Sequence, residues 1–114
     1  MDEKILKWLY DIKIAIQEID DYFLNHPKIF SDYQTNTLLK RAVERDLEII
    51  GEAVNRILKK DPSFPLNNAK QIIGLRNQII HAYDNISDEN IWAIIIKHIP
   101  MLKKEVNKLV SDEI

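Results

Sequence analysis

The chain has 114 residues, 46% of them apolar and 30% charged, and its 16 basic and 18 acidic side chains give a net charge of −2. This composition excludes a disordered or collagen-like chain and shows no general attraction to nucleic acid. Without cysteine it has no disulfides, and two glycines and four prolines are too few for an all-β domain. We expect one mostly helical domain over residues 1–114, with no secretory signal, no membrane segment and a cytoplasmic location.

Two long amphipathic helices are predicted in the first half of the chain. The first covers residues 2–24, where apolar side chains recur at three- and four-residue steps, and it ends before Pro27. Residues 25–36 are predicted to form a loop in which Ser31, Asp32 and Thr35 are available as helix caps. The second helix covers residues 37–60 and has one apolar stripe: Leu39, Val43, Leu47, Ile50, Val54 and Ile57.

Two further helices are predicted in the second half. The third runs from residue 68 to residue 81 or 83, and the fourth begins after Ser87, an N-cap followed by two acidic residues. Pro100 lies inside the fourth helix and should kink or split it. Four amphipathic helices joined by short connections predict an antiparallel four-helix bundle.

The fourth helix also predicts self-association. Residues 91–96 are all apolar and cover most of the circumference of a helix, so they need burial on more than one side. Because a small bundle has limited interior, we expect this segment to contribute to a homodimer interface.

The third helix has a charged residue in its apolar stripe. At about 100° per residue, positions 72, 75, 76, 79 and 83 fall on one side, which places Arg76 among apolar residues. A buried guanidinium needs an anionic partner or an open cleft. Asp46, which falls on the apolar side of the second helix, is the candidate partner; the other interpretation is a cleft that binds a ligand.

Two polar residues near the end of this helix add a second candidate feature. Asn77 and His81 are four residues apart and share a side, whereas Arg76 and His81 lie roughly 140° apart on an ideal helix. Arg76 and His81 therefore meet at one ligand only if the helix ends or distorts near residue 81, or if a second subunit contributes. A histidine at this position can also simply complement the helix dipole. His26 and His98 are expected at the surface, and no cluster has metal-ligand spacing.

The run from Arg76 to Tyr83, RNQIIHAY, resembles the R-x4-H-x-Y motif of HEPN-domain proteins, in particular HepT-like toxins. Residues 42–53 resemble the second-helix signature of that family, and residues 84–92 resemble the turn that follows the motif. The resemblance covers nearly the whole chain. Asp46 stands where this family more often has asparagine, a small departure from the pattern.

The resemblance implies a homodimeric helical bundle and a metal-independent endoribonuclease without a cofactor. Carried over to this sequence, Arg76 and His81 are the catalytic pair, and Asn77 orients His81 or contacts phosphate. The family also implies a minimal nucleotidyltransferase antitoxin that transfers AMP from ATP to Tyr83. RNA is the implied substrate, and neither DNA nor a membrane is an expected partner.

The proton chemistry agrees with this assignment. Attack of a 2′-hydroxyl on the adjacent phosphate needs a base, an acid and positive charge, which two histidines and an arginine can supply. Two alternatives remain at this point: a catalytically silent HEPN domain that binds nucleotide or partners a nucleotidyltransferase, and a purely structural helical dimer. The near-neutral charge keeps the silent domain as an alternative, since a general RNA binder is usually more basic.

Overall fold

A computed structural model describes the backbone of residues 1–81 and 87–113, and the side chains of residues 1–77 and 87–113. In chain order its elements are α1 (Glu3–Tyr22), α2 (Phe30–Thr35), α3 (Thr37–Lys60), α4 (Lys70–His81), α5 (Asp88–Ala93), a π-helical segment (Ile94–His98) and α6 (Ile99–Ser111). No strand occurs in these ranges, so the predicted all-α class is confirmed.

The long helices form the predicted bundle. Helix α1 packs against α3 and α6, α3 also packs against α4, and the π-helical segment contacts α4 on the remaining side. All six residues of the predicted α3 stripe are buried. The apolar residues that recur along α1 are buried at Ile5, Leu9, Ile12, Ile16 and Ile19, while Trp8 and Phe23 are only partly covered. No helix in the described ranges is long and apolar enough to cross a membrane.

Two of the helix starts follow from capping side chains. Asn36 accepts a hydrogen bond from the Leu39 backbone N–H at 3.0 Å and so begins α3. Ser87 accepts one from the Asn90 N–H at 3.2 Å at the start of α5, which confirms the predicted N-cap. Of residues 84–92, which resemble the turn after the family motif, only 87–92 belong to the described part of the chain.

Helix α2 lies within the segment that the sequence predicted to be a loop, and that prediction is wrong. Six residues make fewer than two turns, too few for a periodic pattern to be recognised. Packing stabilises α2 instead, because Phe30 and Tyr33 contact Trp92 with ring centroids 5.9 and 5.2 Å apart. Phe23 meets the same indole edge-on at 5.9 Å.

This aromatic cluster changes the explanation for the apolar run at residues 91–96. Ile91, Ile94 and Ile95 are buried within one chain, and Trp92 packs against α2 and the end of α1. Ile96 is the exception, with 42% of its surface exposed. Most of these apolar residues are thus covered within one chain, and α2, which was not predicted from the sequence, covers part of Trp92. The homodimer stays a prediction, but this segment gives it little support.

Pro100 interrupts the last helix as predicted. The π-helical segment ends at His98, and α6 begins at Ile99 with the proline in its first turn. Because proline has no N–H, it cannot complete the normal hydrogen bond to the residue four positions earlier. The wider turns of the π-helix occur directly before this gap.

Candidate functional site

Helix α4 carries the candidate residues, and α6 anchors its start. The Glu105 carboxylate of α6 accepts hydrogen bonds from the backbone N–H groups of Asn67 and Asn68, at 2.9 and 3.1 Å. A carboxylate just before a helix start also complements the helix dipole. Ile72 and Leu75 are buried, which confirms the predicted inward side of α4 for the side chains that are described.

The side chain of Arg76 projects from the side of α4 that faces α3. Its side chain is partly buried, and its Nε atom is buried without a hydrogen-bond partner among the described residues. The aliphatic stem passes so close to Gly51 that a methyl group on that glycine would lie 2.6 Å from the Arg76 Cβ. Arg76 is therefore held between two helices, with an unsatisfied donor near its charged end.

Asp46 is buried on α3, as its position in the apolar stripe predicted, but its partners lie on α1. The Tyr22 hydroxyl donates a hydrogen bond of 2.8 Å to the Asp46 carboxyl. Burial and, to a smaller extent, the neighbouring Glu18 carboxyl raise the pKa of Asp46 to about 7, while the Tyr22 hydrogen bond acts in the opposite direction. Burial and the nearby Asp46 raise the pKa of Tyr22 to about 12.

The interpretation of Arg76 as the ion-pair partner of Asp46 is not supported within one chain. The ion pairs among the described residues do not join these two side chains. Asp46 instead faces α1, whereas Arg76 meets α3 at Gly51, about 140° further around the helix. Among the described residues, Arg76 thus forms no ion pair with a carboxylate, and its interpretation as a ligand-binding residue stays a prediction.

The backbone of α4 remains α-helical to its last residue, His81. Positions 76 and 81 therefore lie roughly 140° apart around one helix, and α4 does not distort to bring them together. Asn77 is exposed, one position from Arg76. The side chain of His81 and all of Tyr83 lie outside the described part, so their roles stay predictions. No group of three potential metal ligands occurs among the described residues.

Sequence reasoning missed Gly51 as part of this arrangement. A glycine in the middle of a 24-residue helix costs about 1 kcal/mol relative to alanine, so some local requirement should explain it. This unfavourable glycine inside a helix was the feature of the sequence that could have indicated a close contact at position 51. The sequence could not identify which neighbouring helix approaches the glycine.

Comparison with known proteins agrees with these features. The family model described as "Ribonuclease HepT-like" matches residues 12–109. A "Putative RNase" of Methanocaldococcus jannaschii is 34% identical over 112 residues, which cover 95% of this chain and 88% of the relative. A "Putative RNase" of Caldanaerobacter subterraneus subsp. tengcongensis is 39% identical over 88 residues, with 74% and 76% coverage.

A "Probable ribonuclease HepT" of Thermococcus cleftensis is 31% identical over 106 residues, which cover 90% of this chain and 92% of the relative. No solved structure was found to match the chain. The family match spans most of the bundle, including both α3 with Gly51 and α4 with Arg76. The chain therefore belongs to the HepT-like ribonuclease family.

Proposed function

We propose that this protein is the toxin of a toxin–antitoxin system and acts as a metal-independent endoribonuclease. Family membership supports the ribonuclease class. The observation that carries the proposal is Arg76, a partly buried arginine that forms no ion pair with any described residue and whose buried Nε has no hydrogen-bond partner among them. A phosphate group would supply the missing negative charge, since guanidinium donors match phosphate oxygens well.

In the proposed reaction, the RNA cleaves its own backbone. One His81 removes the proton of a 2′-hydroxyl, and the resulting oxygen attacks the adjacent phosphorus. The bond from phosphorus to the 5′-oxygen breaks, and a second histidine donates a proton to that leaving oxygen. Arg76 stabilises the charge on the pentacoordinate phosphate. The products are a 2′,3′-cyclic phosphate and a 5′-hydroxyl end.

A homodimer provides what one chain lacks. One chain has a single histidine in the motif, whereas the reaction needs a base and an acid. The α-helical geometry also separates positions 76 and 81 around α4. Pairing two copies by a twofold axis would place His81 and the partner's His81 at one cleft. Asn77 is exposed beside Arg76 and would orient His81 or contact phosphate.

We expect sedimentation velocity at micromolar concentration to give a species of twice the 13.4 kDa chain mass. The physical reason is the need for two histidines in one cleft, rather than apolar surface at residues 91–96. The measurement should be repeated with Arg76→Ala, which is expected to remain dimeric. A wild-type protein that sediments only as a 13.4 kDa species while cleaving RNA would contradict the two-chain site.

The direct test of the proposed function is RNA cleavage in the presence of EDTA. Wild-type protein should cleave, and mapping of the products should find cyclic phosphate and 5′-hydroxyl ends. A catalytically silent domain is the second candidate, which agrees with the net charge of −2 because a general RNA binder is usually more basic. Binding of nucleotide or of a nucleotidyltransferase without any cleavage would establish that alternative.

We further propose that a cognate nucleotidyltransferase neutralises the protein by transferring AMP from ATP to the Tyr83 hydroxyl. The added group carries negative charge two residues from His81, so it would obstruct the cleft and repel RNA.

Tyr83→Phe removes only the acceptor oxygen. We expect this variant to keep most of its ribonuclease activity, since Arg76 and His81 can perform the chemistry without the hydroxyl, but to resist neutralisation. Intact mass after incubation with the nucleotidyltransferase, ATP and magnesium should increase by AMP for wild type and stay constant for the variant. An equal increase on Tyr83→Phe would move the modification to Tyr10, Tyr22 or Tyr33.

A further inference from the structure

The close approach of α3 and α4 at Gly51 is more than a packing detail. A methyl group on Gly51 would lie 2.6 Å from the Cβ of Arg76, 3.0 Å from its Cδ and 3.2 Å from its Cγ. The first distance is below ordinary van der Waals contact, so any larger residue would push the two helices apart. Three successive parts of the same arginine stem therefore rest on this one glycine.

The charged end of Arg76 depends on how that stem lies. Its Nε is buried and has no hydrogen-bond partner among the described residues, while the side chain as a whole remains partly exposed. Contact with the bare α3 backbone fixes the stem, and the guanidinium loses much of the freedom that an exposed arginine has. A guanidinium that is already ordered before RNA binds stabilises the charge on a phosphate in the transition state more effectively than a mobile one.

From this geometry we infer that Gly51 is a positioning residue for the reaction: its missing side chain allows Arg76 to lie against α3 and aims the guanidinium at the scissile phosphate. The inference depends on the proposed ribonuclease activity, and it adds a residue of another helix to that site. Gly51 itself touches neither substrate nor reacting atoms and acts only through Arg76.

The test compares two identical substitutions. Gly51→Ala introduces the 2.6 Å contact, whereas a methyl group on Gly74 of α4 meets no atom of the described residues within 4 Å. Gly74→Ala should therefore keep wild-type cleavage with an unchanged or slightly higher melting temperature. Gly51→Ala should lower the melting temperature by roughly 5–10 °C and lower kcat by about 10- to 100-fold, because a shifted donor stabilises the transition state less.

The distribution of the loss between kcat and KM separates positioning from general damage. We expect KM for RNA to change by less than about threefold in Gly51→Ala, since the affected interaction acts mainly in the transition state. In an Arg76→Lys background, Gly51→Ala should cause a much smaller additional loss, because no guanidinium fork remains to be misplaced. Full kcat in Gly51→Ala, or losses that simply multiply in the double variant, would overturn the inference.

A spectroscopic measurement makes the inference testable if Gly51→Ala does not fold. In wild-type protein the Nε–H of Arg76, assigned by its disappearance in Arg76→Lys, should exchange with water at least about tenfold more slowly than those of the exposed Arg41, Arg45 and Arg56. If Gly51→Ala does fold, the Arg76 Nε–H should exchange in this variant as fast as in the exposed arginines. Exchange as fast as at the exposed arginines in wild type would overturn the inference, whereas absence of RNA cleavage by wild type would instead refute the proposed function.

Discussion

His81→Ala should lower RNA cleavage by at least about 100-fold, because it removes the group that transfers protons at neutral pH. Arg76→Ala should lower cleavage by about 100- to 1,000-fold through the loss of charge stabilisation on the phosphate. Both losses should appear in kcat, and toxicity in cells should disappear with them. Steady-state cleavage of a defined RNA in EDTA, which gives kcat and KM separately, is the measurement.

Two exposed residues provide matched controls for these variants. His26→Ala removes a histidine from the connection after α1, and Arg56→Ala removes an arginine whose 2.7 Å ion pair with Glu52 lies on the surface of α3. Both should retain cleavage, since both side chains are exposed and an exposed ion pair such as that of Arg56 contributes little to stability. Full metal-independent activity in His81→Ala or Arg76→Ala would refute the assigned mechanism. Loss of helical circular dichroism in those variants would indicate a structural role instead.

Asp46→Asn should make the protein more stable than wild type at pH 8 but not at pH 4. The pKa of Asp46 is about 7 in the folded chain and 3.8 in its ordinary state, so the folded state binds the proton more tightly. Its contribution to stability is fully present below pH 3.8 and is lost as pH rises through about 7. The difference corresponds to at most about 4 kcal/mol. Asparagine is neutral throughout and can still accept the Tyr22 hydrogen bond.

Urea unfolding at the two pH values measures this effect. Asp32→Asn makes the same chemical change at an exposed position of α2 and should show no comparable difference between pH 4 and pH 8. Comparison with wild type at each pH is essential, because Asp2 and Glu89 have lowered pKa values and act in the opposite direction. An Asp46→Asn effect of equal size at pH 4 and pH 8 would contradict the assigned pKa.

The sequence could predict the long elements because each carries many turns of a consistent pattern. In α3, six stripe residues define the buried side with little ambiguity, and Pro100 and Ser87 act through local chemistry that needs no neighbour. Helix α2 could not be predicted, since its stability comes from the distant Trp92. An apolar stripe also predicts which side of a helix is buried, but it does not predict which neighbouring helix packs against that side.

The same distinction applies to the candidate site. Arg76 was identifiable as an anomaly because a charge within an apolar stripe is visible in the sequence alone. The direction of its stem was not, since that depends on the approach of α3 and α4 at Gly51. Asp46 was correctly placed on the inward side, yet its contact with Tyr22 of α1 required knowledge of the helix arrangement.

The π-helical segment has a consequence for how this chain compares with its relatives. A π turn holds one residue more than an α turn, so Ile94–His98 is equivalent to an α-helical path with a single inserted residue. Ile94 and Ile99, five residues apart, are both buried, whereas on an α-helix they would diverge by roughly 140°. A relative with a continuous α-helix here should therefore align with a one-residue gap between these positions.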